Sequence, residues 1–473
     1  MSSKHLILAV AFVAAPLGAQ RPSSPSINIA HERVTLPNGL TVILAPDNST
    51  PTVAVDVWYH VGSKNELPGK TGFAHMFEHV MFTGSGNVPY GLHDRLTEGV
   101  GGGNNGSTNE DRTNYYETIP SNYLETALWL ESDRMGFLLD KLDSSKFVAQ
   151  REIVQNERRQ GVDNQPYGRA FEILAYGLYP DSNPYSWPVV GYMTDLDAAR
   201  LDDVKNFFRT YYAPTNATIS IVGDFDPAQA KEWIRKYFGD LQRGPRITRP
   251  QAKPPMVTAE KRLVYEDRVQ IPRLYIAWPT VGVKVDDSYG LNVLSSILTG
   301  SRTARLTKAL VYDRESAASV SAFQNSNEQL GEFVMMITPR PGNTLTQLEA
   351  AADSVIERLK REGPTADEMA RALAGIEFGF VSGLQSNMGK AEILNSGSVY
   401  FNDPAHYRTS YAKVRGVTAA DVKRVANTYL GNGRVVLSIV PEGKTEMAAR
   451  PDASAKVTVA ADGGHYTTEG ESK

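Results

Sequence analysis

Apolar and polar positions along the chain alternate with two different periods. Residues 53–58 (VAVDVW), 217–222 and 274–278 are short runs rich in β-branched and aromatic side chains, and they predict strands. Residues 202–211, 229–238 and 348–362 space their apolar side chains three and four apart, which predicts amphipathic helices. Strands and helices interleave throughout, so the expected class is α+β, with helices packed on a sheet.

The pattern also repeats. Asp203-Val-Lys, Thr210-Tyr and Ser220-Ile-Val recur as Asp421-Val-Lys, Thr428-Tyr and Ser438-Ile-Val, each pair 218 residues apart. Constant spacing across a helix-like and then a strand-like stretch predicts a duplicated domain. Residues 243–262 hold four prolines with little apolar periodicity and read as the linker. Residues 448–473 are small and polar and read as a disordered tail.

Residues 1–20, MSSKHLILAVAFVAAPLGAQ, place one lysine before an apolar run and small residues after it, the layout of a cleaved signal peptide. The run is short for a membrane anchor, which needs about 20 apolar residues. No other segment reads as membrane-spanning. An exported protein follows, in the bacterial periplasm or secreted. The chain has no cysteine, so its 473 residues are stabilised by their core and not by disulfides. Composition is that of a globular protein, 41% apolar and 22% charged. A net charge of −4 gives no sign of a nucleic-acid partner.

Against this background residues 71–80, TGFAHMFEHV, stand out. On a helix over residues 72–82, His75 and His79 are i and i+4 and share one face. Two imidazoles so placed can share a tetrahedral zinc, and Glu78 lies on the adjoining edge. There it would take a proton from a metal-activated water rather than ligate. The order H-x-x-E-H marks the inverted zincins. A hydrogen-bonded core pair is the alternative. The repeat argues against it: shifted by 218, the segment becomes residues 290–298, GLNVLSSIL, with Val293, Ser296 and Ile297 in those places. The fold does not need the polar residues there.

A catalytic zinc needs a third protein ligand and an open position. The predicted helix over residues 145–160 offers Glu152 and Glu157. Glu157 shares its face with Ile153 and Val154, read as inward positions, and a buried carboxylate needs a cation or a metal. An ion pair with a neighbouring arginine is the other explanation for Glu157. Between these helices, GVGGGNNGSTNEDRTNYYETIP (residues 99–120) lacks the G-K-[ST] of a nucleotide loop. It reads as a turn into a strand at residues 105–116, which as a sheet edge could pair with an extended peptide; a plain surface loop is the equal alternative.

Residues 71–84, then Asn105–Gly106–Ser107–Thr108 with Thr113-Asn-Tyr-Tyr116, then residues 151–158 and 216–226, follow in order the motifs of the pitrilysin/insulinase (M16) family of zinc peptidases, which this chain resembles over nearly all of residues 34–442. The resemblance implies two homologous α+β domains of the processing-peptidase type, a zinc-binding one over 30–242 and an inactive one over 263–447. It implies one zinc per chain, held by His75, His79 and Glu157, with Glu78 as base and Asn105, Gly106 and Ser107 in the substrate-pairing edge strand. It further implies a zinc endopeptidase acting on peptides or unfolded polypeptides inside a two-subunit clam shell. The partner would be a zinc-less homologous subunit, with a homodimer as the alternative. Two departures matter. Gln150 stands where relatives often carry a second glutamate. Val311 and Ala318 stand where single-chain relatives carry an arginine and a tyrosine. A non-catalytic chamber subunit and a zinc hydrolase of non-peptide bonds are the competing readings.

Overall fold

The computed structural model describes residues 27–255, 257–460 and 465–469. The signal-peptide segment lies outside them. Residues of the first half form β1 (Glu32–Thr35), β2 (Thr41–Pro46), β3 (Thr52–Tyr59), β4 (Gly103–Thr108), β5 (Thr113–Pro120) and β6 (Ala217–Gly223). Its helices are α1 (Phe73–Val80), α2 (Leu92–Glu98), α3 (Leu124–Phe137), α4 (Ser144–Arg158), α5 (Ala170–Leu178), α6 (Met193–Ala198), α7 (Leu201–Tyr211) and α8 (Pro227–Phe238). The second half contributes β7 (Lys261–Asp267), β8 (Arg273–Val281), β9 (Ala317–Ser326), β10 (Leu330–Pro339), β11 (Val435–Pro441), β12 (Ala455–Val459) and β13 (Tyr466–Thr468). Its helices are α9 (Asp287–Thr299), α10 (Leu345–Glu362), α11 (Ala366–Gly383), α12 (Asn387–Phe401), α13 (His406–Gly416) and α14 (Ala419–Tyr429).

The sheets run β1-β2-β6-β3-β5-β4 and β13-β12-β7-β11-β8-β10-β9. Each is a mainly antiparallel sheet with parallel pairing inside it, β2 with β6 in the first and β7 with both β11 and β12 in the second. The 218-residue shift carries α7 onto α14 and β6 onto β11 end for end. The duplication is therefore a duplication of topology.

The halves exchange a helix. Ile173 and Leu174 of α5 join the core over the second sheet with Leu263, Tyr275, Val435 and Leu437. Gly177 permits the close approach, since a Cβ there would lie 2.8 Å from Val435 Cγ1. Ala391 and Leu394 of α12, the helix 218 residues on, cover Ile43, Ala45 and Val222 of the first sheet. Asn395 adds polar bonds, donating to Asp56 O and Oδ2 at 2.9 Å each and accepting from Ser220 Oγ at 2.7 Å. A buried ion cluster joins the halves again. Lys64, with no side-chain exposure, pairs with Asp111 at 2.6 Å and also with Glu328 of the second half, which accepts from His60 at 2.7 Å.

The structure corrects the tail. Within the stretch expected to be disordered, β12 runs parallel to β7 and pairs with β13. Val457 and Tyr466 are buried in the second core, and Tyr466 Oη donates to Glu172 at 2.5 Å. Two well-placed apolar side chains suffice to hold an edge that the polar composition conceals. The proline-rich linker carries no helix or strand before β7 among its described residues.

Candidate metal centre

Helix α1 buries Phe73, Met76, Phe77 and Val80 in the first core, with Phe77 stacked among Phe207, Phe208 and Tyr212. That spacing turns His75, Glu78 and His79 to the side that faces α4 and β4. The N-terminus of α1 is fixed by a buried acid that sequence reasoning missed. Glu66 accepts from the amides of Gly72 and Ala74, both at 2.8 Å, satisfying donors a helix start leaves free. Thr71 donates to Asp195 from its amide at 3.0 Å and its hydroxyl at 2.7 Å. Gly72 takes φ = 87° and abuts Gly191, a Cβ meeting Val190 O at 2.7 Å, so only glycine fits.

Helix α4 brings Glu157 to the histidine pair. Its Oε2 lies 3.1 Å from His79 Nε2 and 3.6 Å from His75 Nε2, and the three ligand atoms lie within 4.8 Å of one another. The last turn of α4 is pinned on both sides of this glutamate. Gln155 Nε2 donates to Asp197 at 2.6 Å. Arg158, buried to 1% exposure, reaches Glu172 at 2.8 and 3.1 Å and Gly191 O at 2.9 Å. Arginine 158 thus pairs with Glu172 and leaves Glu157 free for the imidazoles. A π-helical turn follows at Arg159–Asp163.

Two details differ from the sequence reading. Ile153 is 46% exposed, so the inward face of α4 centres on Val154 and not on both. Glu157 has 51% of its side chain accessible and is not a buried carboxylate. The cluster is shielded at His75 (10%) and opens to solvent at Glu157, which provides the open side that catalysis needs. Burial holds the His75 imidazole below its ordinary pKa; the carboxylates of Glu78 and Glu157 oppose this and His79 reinforces it. A neutral imidazole is the ligand form, and the buried Nδ1 of His75 has no hydrogen-bond partner. Glu152 and Gln150 also lie on α4, Glu152 exposed and Gln150 part-buried.

Strand β4 pairs with β5 and ends the sheet, with no neighbour on its other side among the described residues. Asn105 is exposed, and its Oδ1 accepts from the Gly106 amide at 2.8 Å. Gly106 sits against Glu78, where an added Cβ would meet Glu78 Cγ at 3.1 Å. Ser107 donates to Asn114 and accepts from Arg112, both at 2.6 Å. The edge strand therefore passes directly over the proposed base. In the second half Val311 packs on the core and Ala318 is exposed on β9.

The chain is 32% identical over 406 residues to a zinc protease, PqqE, of Helicobacter pylori, an alignment covering 84% of this chain and 90% of that one. It belongs to the M16 peptidase family. The insulinase (peptidase family M16) profile matches residues 41–179, and the peptidase M16 inactive-domain profile matches residues 198–376. A Streptomyces coelicolor protein described as an uncharacterized zinc protease is 24% identical and aligns over 88% of this chain and 91% of its own. The crystal structure of a protease from Helicobacter pylori superposes with a TM-score of 0.81 at 29% identity, covering 87% of this chain and 99% of that one. This M16 chain is thus an α+β protein of two homologous halves, of which the first carries the histidine–glutamate cluster.

Proposed function

We propose that this M16 chain is a zinc-dependent endopeptidase that cuts peptides or unfolded polypeptides. The observation that carries the proposal is the convergence of His75, His79 and Glu157 beside Glu78, under an unpaired sheet edge. Two imidazoles and one carboxylate, open on one side at Glu157, fit a catalytic zinc. Zinc in such a site acidifies water and polarises a carbonyl.

The chain's own residues supply the rest. The backbone of β4 can pair with an extended peptide and hold the scissile bond over α1, with Asn105, Gly106 and Ser107 as the pairing stretch. Glu78 takes the proton of the attacking water and returns it to the departing amine. Gly106 keeps the strand close to that carboxylate.

Val311 and Ala318 supply neither a cation nor a phenol for the developing oxyanion, and one such donor is worth roughly 3–4 kcal/mol. This supports a heterodimer with a zinc-less homologous subunit, the two chains facing each other around the substrate. The apolar run near residue 6 supports export to the periplasm or beyond; no helix among the described residues is long and apolar enough to cross a membrane. The test is cleavage of an unstructured fluorogenic peptide by the purified chain. Turnover abolished by a strong chelator and restored by zinc is expected. Chelator-resistant turnover contradicts the zinc mechanism, and full activity from a monomer, unchanged on dilution, contradicts the partner.

A further inference from the structure

A second cluster of metal-ligating side chains lies on the same face of the sheet, around β5, since Glu117 shares the face of Tyr115, which with Glu78 borders Gly106. His93 of α2, Glu117 of β5 and Glu131 of α3 are 6%, 0% and 0% exposed, and one ligand atom from each lies within 4.8 Å of the others. His93 Nε2 stands 3.7 Å from Glu117 Oε2. Neither that nitrogen nor either oxygen of Glu117 has a hydrogen-bond partner, although buried polar groups are almost always paired.

Glu131 is differently placed. Arg134 donates to its Oε2 from Nε at 2.8 Å and to its Oε1 from Nη2. The guanidinium also stacks on Tyr115 at 4.6 Å and Phe82 at 5.2 Å. A carboxylate oriented by a second group is the usual condition of a metal ligand.

We propose that His93, Glu117 and Glu131 bind a second divalent cation of the zinc class, in a closed structural site distinct from the catalytic centre. A site sealed from solvent with one imidazole and two carboxylates suits such an ion, with Glu117 able to supply both oxygens to complete the coordination. The competing occupant is a proton shared by the two carboxyls. That proton serves one oxygen of Glu117 and leaves its other oxygen and His93 Nε2 bare, whereas a cation engages all three. With a neutral imidazole the two carboxylates outnumber Arg134 by one charge, which a cation also answers. The site would tie α2 and α3 to β5, whose Tyr115 donates to Phe77 O of α1 at 2.8 Å. It would therefore brace the helix of the catalytic centre.

The test is metal content by mass spectrometry, with zinc as the probe, after dialysis and desalting. In the His75→Ala/His79→Ala chain, which has lost its catalytic ligands, about one zinc per chain is expected to remain, and wild type should carry one more. A variant chain that holds none overturns the proposal and assigns the cluster to protons. Adding Glu117→Gln should remove the remaining ion; an ion retained is held elsewhere, which also overturns it. If that triple variant does not fold, X-ray absorption on the double variant decides. One imidazole with oxygen ligands supports the site, and any other number of imidazoles overturns it.

Discussion

Replacing Gly106 with alanine adds one methyl group between the edge strand and the proposed base. The new Cβ would sit 3.1 Å from Glu78 Cγ and 3.3 Å from both Asn114 O and Tyr115 Cδ1, where ordinary contacts begin near 3.4 Å. The carbonyl and the ring are fixed by the sheet, so Glu78 must yield, by about 0.3 Å at Cγ and more at its carboxylate. Gly106 does not have a positive φ, so alanine brings no backbone strain. Overpacking of roughly 1 kcal/mol is partly offset by the roughly 0.5–1 kcal/mol that alanine gains over glycine in a strand. Melting temperature should therefore move by only a few degrees. The rate should not be spared: a misplacement of about 1 Å costs about 100-fold, and a few tenths, amplified toward the carboxylate, should lower kcat roughly 5- to 20-fold. The assay is steady-state cleavage of a quenched peptide beside metal content and a thermal melt. An unchanged kcat, or a fall matched by loss of zinc, would refute the placement of Glu78 beneath β4.

Two further outcomes follow from the same geometry. Glu157→Gln should weaken zinc binding at the catalytic centre by at least about tenfold, whereas Glu152→Gln should leave it nearly unchanged; equal losses on metal titration would contradict the choice between them. Burial raises Glu328, but His60, Lys64 and Lys284 overcome this and hold it well below its ordinary 4.5. A depressed carboxylate stabilises the fold above its unfolded pKa and loses that contribution as pH falls below about 4.5. Glu328→Gln should cost about 3–5 kcal/mol at pH 7, because Lys64 loses one of its two buried partners. It should also show a shallower loss of stability from pH 4.5 downward than wild type. Calorimetry at pH 7 and pH 3.5 checks both, and parallel acid limbs would contradict the clasp.

The sequence exposes what depends on local period and hides what depends on distant contacts. His75, Glu78 and His79 can be read as one helical face because residues four apart must stack, and the 218-residue repeat predicts two like halves because α7 and β6 recur as α14 and β11. The exchange of α5 and α12 leaves no trace in the sequence, since amphipathicity says that a helix is covered and not by which sheet. Ile153 shows the same limit: apolar and next to Val154, it reads as inward, yet it lies where α4 leaves the core. Glu66, Asp195 and Arg158 act through partners 6 to 124 residues away, and only an acid shortly before a helix start hinted at the first. The strands of the tail are concealed because Lys456 and Thr458 dilute the apolar signal that Val457 and Tyr466 carry.

The central claim is that Glu78 moves a proton while His75, His79 and Glu157 hold the metal. Glu78→Gln separates the two roles, since the amide keeps the shape and cannot accept the proton. Metal content and peptide turnover are measured on the same preparation. Zinc at the wild-type level with turnover reduced by about 100-fold or more is the predicted result. A Glu78→Gln protein that loses zinc, or that cuts peptide within a few-fold of wild type, would contradict the assignment.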